Sequence, residues 1–138
     1  WGGYGSEFGV PRSADGSPWG STPANSGDNL PAVDLGPGRR PKAVAVGVST
    51  TCVLLDDDTV KCFGFGEEAG GRLPRVNLGT SRTVRTLAGG GNLNCAVLDN
   101  DKIKCWGRGG ILGLGDRVAR GTDQTKMGDA LPYVDTGL

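Results

Sequence analysis

The sequence has no histidine, a single methionine and few aromatics: three Trp, two Tyr and three Phe in 138 residues. Without histidine there is no Ser–His or Cys–His nucleophile pair, and the commonest zinc ligand is missing. The charges balance, 15 basic against 15 acidic, and are scattered along the chain. That argues against a nucleic-acid or polybasic membrane surface. No window approaches the roughly 18 consecutive apolar residues of a membrane helix, so no membrane span is expected. No charged and then apolar leader precedes Trp1, an appearance that a processed secreted chain shares. Asn-x-Ser/Thr is absent, so N-linked glycosylation is not expected, and there is no Cys-x-x-Cys.

What the sequence does have is glycine, 26 residues of it. An aperiodic chain of that content reads as disordered, but these glycines follow a period and read as turns and bends. The stretch Thr51-Cys52-Val53-Leu54-Leu55-Asp56-Asp57-Asp58-Thr59-Val60-Lys61-Cys62-Phe63-Gly64 recurs 43 residues on as Asn94-Cys95-Ala96-Val97-Leu98-Asp99-Asn100-Asp101-Lys102-Ile103-Lys104-Cys105-Trp106-Gly107. A period of this length signals a propeller or a solenoid.

Each copy reads as a β-hairpin: an apolar run, an acidic turn, then an alternating run that ends in an aromatic and a glycine. With Leu55 facing Thr59 across the loop Asp56-Asp57-Asp58, Cys52 faces Cys62, and the same register sets Cys95 against Cys105. Opposed residues at a non-hydrogen-bonded site have Cβ atoms ~4.5 to 5.5 Å apart, close to the ~3.5 to 4.5 Å of a disulfide. Two cross-strand disulfides are therefore expected. Four reduced, buried cysteines are the plainer alternative, but it leaves their matching positions unexplained; zinc lacks both a Cys-x-x-Cys pair and a histidine. Paired cysteines persist in oxidising surroundings, so an extracellular or cell-surface location is expected.

Residues 1 to 29 form a long loop of Gly, Ser, Pro and isolated aromatics. The phrase Leu30-Pro31-Ala32-Val33-Asp34-Leu35-Gly36 comes next and has relatives at Leu73 to Gly79 and Leu131 to Gly137. Proline before alternation suits an outer edge strand. Small-residue runs at 43–48 and 84–90 precede the hairpins and suit an innermost strand. The fold class expected is all-β, built from four-stranded antiparallel propeller-type blades. Two are complete and part of a third is present: 1–42 is a loop plus the edge strand of an incomplete blade, 43–82 a blade, and 83–138 a blade with a long insertion. Two and a fraction blades do not close a ring. The strand Leu30 to Leu35 is thus expected to complete a blade supplied by another copy or by further chain.

The hairpin with its Leu-x-Asp-x-Asp turn, Val60-Lys61-Cys62-Phe63-Gly64, and Leu112-Gly113-Leu114-Gly115-Asp116 together resemble the regulator-of-chromosome-condensation repeat. In particular they resemble its extracellular, cysteine-bearing form. The resemblance implies four-stranded blades in a propeller. Ser49-Thr50-Thr51 and Asn92-Leu93-Asn94 lack the histidine often found there, and Phe65 to Arg72 lacks the Leu-Gly-Leu-Gly-Asp phrase.

The chemistry available is limited, and neither an enzyme nor a cofactor or metal is expected. Asp56, Asp57 and Asp58 with Asp99, Asn100 and Asp101 read as turn chemistry; as calcium ligands they lack the glycine and distal glutamate of an EF-hand. Gly107 to Gly115 lacks the Gly-Lys-Ser/Thr of a phosphate loop. Arg39, Arg40 and Lys42 read as a solvated turn. Trp1, Phe63 and Trp106 share one repeated position and suit packing between blades. Tyr4, Phe8 and Trp19 have no counterpart and are a candidate contact surface. The function expected is a non-catalytic extracellular assembly module, a repeat unit of a larger array, oligomer or filament. Its partners would be copies of itself or further repeats of the same chain, with a glycan possible. The alternative is a propeller that binds a protein or carbohydrate through its long loops.

Overall fold

The computed structural model describes residues 19–48, 50–64 and 75–137. Six strands form two antiparallel sheets: β1 (Pro41–Val46), β2 (Thr50–Leu55) and β3 (Val60–Gly64) in sheet A, and β4 (Val84–Gly90), β5 (Leu93–Leu98) and β6 (Ile103–Gly107) in sheet B. Among the described residues helical structure is limited to 3-10 turns, two of them at matching phrases, Gly27–Asn29 and Gly128–Ala130. Those turns carry no apolar period, so hydrophobic patterning gives no sign of them.

The hairpin register is fixed by the loop. The Leu55 N–H donates to the Thr59 carbonyl at 2.9 Å and the Asp58 N–H to Leu55 at 3.0 Å. Asp58 and its counterpart Asp101 close their loops in the left-handed region, at φ 60° and 63°, which aspartate tolerates better than most residues. Counting back from that first bond, Cys52 and Cys62 meet at a non-hydrogen-bonded position, as do Cys95 and Cys105. A disulfide joins each pair, with Cα atoms 4.0 and 4.1 Å apart.

The expected fourth strand is a correction. Each sheet has three strands, and the Leu-Pro segments lie beside them as short extended pieces. Residue 75 makes one isolated bridge to Lys61, and the Val76 N–H donates to the Val60 carbonyl at 2.8 Å. Val134 repeats that bond to Ile103. Pairing then stops because an Asx turn bends the chain away. Asp34, Asn77 and Asp135 each accept the N–H of the glycine two residues on, Gly36, Gly79 and Gly137. The segment at 30–35 is likewise not a strand.

The two sheets pack face to face. Sheet A contributes Cys52, Leu54, Val60 and Cys62, and sheet B Val84, Ala96, Leu98 and Trp106. Backbone bonds from Val48 to Gly91 and from Val84 to Asp58 tie them together. Gly107, φ 131°, is needed where β6 ends, since a Cβ there would lie 2.9 Å from the Leu93 Cα.

Candidate functional site

Alternation along β3 and β6 carries a lysine, Lys61 and Lys104, into buried positions. A buried ammonium must find acceptors, and the Leu-Pro segments supply them. Lys61 Nζ donates to the Leu35 carbonyl at 2.9 Å; Lys104 Nζ donates to Leu78 at 2.9 Å and to Gly128 at 2.7 Å. The Tyr133 ring lies under Lys104 Nζ, 4.8 Å from ring centre to nitrogen. Burial lowers the Lys104 pKa below its ordinary 10.5, partly offset by Tyr133 and Asp129. Each of these two segments is therefore held by the hairpin next along the chain. The sequence signal was present, a lysine in both hairpins and a Leu-Gly pair 26 residues before each, but lysine on a strand ordinarily reads as solvent-facing.

The second feature is an apolar strip on the side of sheet A that faces away from sheet B. Val44 and Val46 are 58% and 61% exposed. Beside them a groove of about 530 Å³ is lined by Val33, Leu35, Val44, Val53 and Phe63. In sheet B the repeat counterparts of Val44, Val53 and Phe63 are Leu87, Ala96 and Trp106, and these pack into the inter-sheet core. Leu30 is 53% exposed where its counterpart Leu131 is buried. One face of the repeat is thus covered in sheet B and partly open in sheet A.

The charged tips are structural. Arg39 pairs with Asp56 and Asp57, and Lys42 with Asp58; Arg82–Asp99 and Arg85–Asp101 repeat the pattern in sheet B. The basic run read as a solvated turn is therefore paired with the hairpin loop. Thr59 donates its hydroxyl to Asp57, which, with Arg75 and Arg39, holds that carboxyl below its usual range. Among the described residues no group of acidic or sulfur side chains is arranged to hold a metal. Trp19 is half-buried, while Tyr4 and Phe8 lie outside the described residues, as does Trp1. Phe63 and Trp106 are buried.

The long insertion after β6 folds back on its strand. Gly107 and Arg120 exchange two backbone bonds, and Arg120 grips Asp116 through both carboxylate oxygens, at 2.9 and 2.7 Å. That clamp, with the Val118 N–H, holds Asp116 down at about 2. Its folded pKa lies below the unfolded value, so its contribution to stability is present above pH ~3.8 and lost as pH falls toward 2. A carbon-detected NMR titration should give an Asp116 midpoint of about 2. In Arg120→Gln the midpoint should return toward 3.8; an unmoved midpoint removes the clamp as its cause.

No family model and no curated protein matches this sequence. Solved structures do. Kap60 bound to yeast RCC1 (Prp20) is similar over 49% of this chain and 18% of that one, at 20% identity and a TM-score of 0.40. Prp20p from Saccharomyces cerevisiae is similar over 56% and 23%, at 17% identity and 0.42. The CRINKLY WD40 ectodomain of the Arabidopsis thaliana receptor kinase ACR4 is similar over 51% and 23%, at 22% identity and 0.37. The chain spans about a fifth of the length of the structures it matches.

Proposed function

We propose that this chain is a non-catalytic assembly module that adds a further repeat unit to the open face of sheet A. The observation that supports the reading is the mismatch between counterparts: Leu87 packs against the core while Val44 stands exposed. The occupant that fits is the outer face of another sheet of this kind, from a second copy or from further chain. In that arrangement Val44 and Val46 meet the side that carries Cys95, Val97 and Cys105, as sheet B now meets Cys52 and Leu54. A contact between one face and a different face of the next copy is heterologous and need not close, which is how rows and filaments arise.

The two disulfides suit an oxidising, extracellular setting. Among the described residues no helix is long and apolar enough to cross a membrane. Burying a valine side chain is worth about 1.5 to 3 kcal/mol. Lysine at Val44 and Val46 together should therefore weaken self-association by well over tenfold and leave the fold intact, because both side chains are exposed. Sedimentation of the chain at rising concentration reads this directly. A chain that stays monomeric throughout, or one whose association ignores V44K/V46K, would overturn the reading.

A further inference from the structure

Between sheets A and B there is room for one Leu-Pro segment. Residues 75–79 fill it, tied to sheet A by the Val76 N–H on the Val60 carbonyl and to sheet B by Lys104 on the Leu78 carbonyl. Their Val76 and Leu78 side chains pack in the core that holds Leu98 and Trp106. The other two segments of this kind are each held from one side. Residues 30–36 lie on the open face of sheet A, with Val33 and Leu35 against Val53, Leu55 and Phe63 and with the Leu35 carbonyl taking Lys61. Among the described residues the Val33 N–H, which corresponds to that of Val76, has no hydrogen-bond partner. Residues 131–137 are the converse. Their Val134 N–H is bonded to Ile103 of sheet B, while among the described residues no donor reaches the carbonyl of Thr136, the counterpart of Leu35 and Leu78.

Bringing the outer side of sheet B of one copy onto the open face of sheet A of another therefore puts two segments into a space that elsewhere holds one. Their holds are unequal. Leu131 is 1% exposed against 53% for Leu30, and Tyr133 is fixed beside Lys104. The turn at 77–80 is also clasped, by the Gly128 N–H on the Asn77 carbonyl and by Asp129 on Thr80. Nothing equivalent grips the turn at 34–37 among the described residues. Residues 30–36 are thus the ones that give way. When they leave, the buried Lys61 ammonium keeps an acceptor, because the Thr136 carbonyl arrives where the Leu35 carbonyl was, and Val134 fills the place of Val33. Thr136 is smaller than Leu35, a loss that the covering of Val44 and Val46 offsets.

We infer that, in the association proposed above and resting on it, the Leu131–Gly137 segment of a second copy takes the seat of residues 30–36, which are its displaceable occupant. The free chain thus masks part of its own contact face. Its apparent affinity for another copy is reduced to the extent that the seat is filled.

Val33→Ser combined with Leu35→Ser tests this by the sign of its effect. Both side chains lie outside the inter-sheet core, and loosening the occupant raises the fraction of open seats, so self-association read by sedimentation should strengthen roughly tenfold. A second measurement needs no self-association. A peptide with the sequence of residues 128–138, added to the ¹⁵N-labelled chain, should give saturable shifts at the amides of Val53, Lys61 and Phe63, and a scrambled peptide should give none. Half-saturation should need roughly tenfold less peptide in V33S/L35S than in the unaltered chain. Weaker association of V33S/L35S would mean that the partner docks on top of residues 30–36, and overturns the inference. So does a peptide that leaves those amides unmoved in both chains. If neither chain associates at any concentration while the peptide still takes the seat, displacement of residues 30–36 stands and the assembly reading alone fails.

Discussion

Replacing Cys52 and Cys62 by alanine is expected to cost about 3 to 4 kcal/mol, and replacing all four cysteines to leave little or no folded chain at 37 °C. Each bridge closes a loop with a sequence separation of 10, for which the chain-entropy model gives roughly 2.5 to 3 kcal/mol. Against a usual domain stability of ~5 to 15 kcal/mol, losing both is a large fraction. The two bridges should not behave alike. Cys52 and Cys62 lie in the core between the sheets, whereas Cys95 is only half-buried on the outer side of sheet B. Removing the first therefore adds a core cavity to the lost constraint. A graded reductant should open Cys95–Cys105 before Cys52–Cys62. Urea melts of the two pairwise variants, with mass mapping of partly reduced protein, check both statements; equal costs and simultaneous opening would count against this account of the core.

Lys104→Met is expected to destabilise the chain by about 2 to 4 kcal/mol although methionine keeps most of the buried stem. The loss comes from two buried carbonyls, Leu78 and Gly128, left without the ammonium that serves them. A pH effect accompanies it, and burial sets its sign. The folded pKa of Lys104 lies below 10.5, so between that depressed value and 10.5 the unfolded chain holds more protons than the folded one. Stability should therefore rise with pH across that window. The rise should vanish in Lys104→Met. Chemical melts of both proteins through the alkaline range give the comparison, and parallel slopes would mean that Lys104 keeps its ordinary pKa.

Much of this was legible because the repeat is strict. An offset of 43 residues gave the hairpins, their three-residue loops and the opposition of Cys52 to Cys62, since loop length sets register once the turn is known. The fourth strand fails for a physical reason. Alternation after proline predicts an extended chain, but whether that chain stays paired depends on the turn at its far end. The Asp34–Gly36, Asn77–Gly79 and Asp135–Gly137 turns bend each segment off the ladder after one or two bonds at most. The open strip on β1 was not legible either. The run at 43–48 suits an innermost strand, and only the exposure of Val44 and Val46 beside the packed Leu87 shows that this face lacks a cover. The folding back of the insertion to Gly107 was not legible, because that closure rests on backbone bonds to Arg120, which no side-chain pattern announces.

The segment at 75–79 touches both sheets, through Val76 to Val60 in one and through Leu78 to Lys104 in the other. Under tension along the chain, that segment carries the load from sheet to sheet, and a few polar bonds oppose it. The hairpins are protected differently. Each disulfide holds its ends 4.0 or 4.1 Å apart, where ten extended residues would span ~35 Å. Pulling therefore peels the Leu-Pro segments first and leaves two closed hairpin loops behind. The extensible length is shortened by about 60 Å for as long as the bridges stay oxidised, so the redox state of the surroundings also sets how far the chain can stretch.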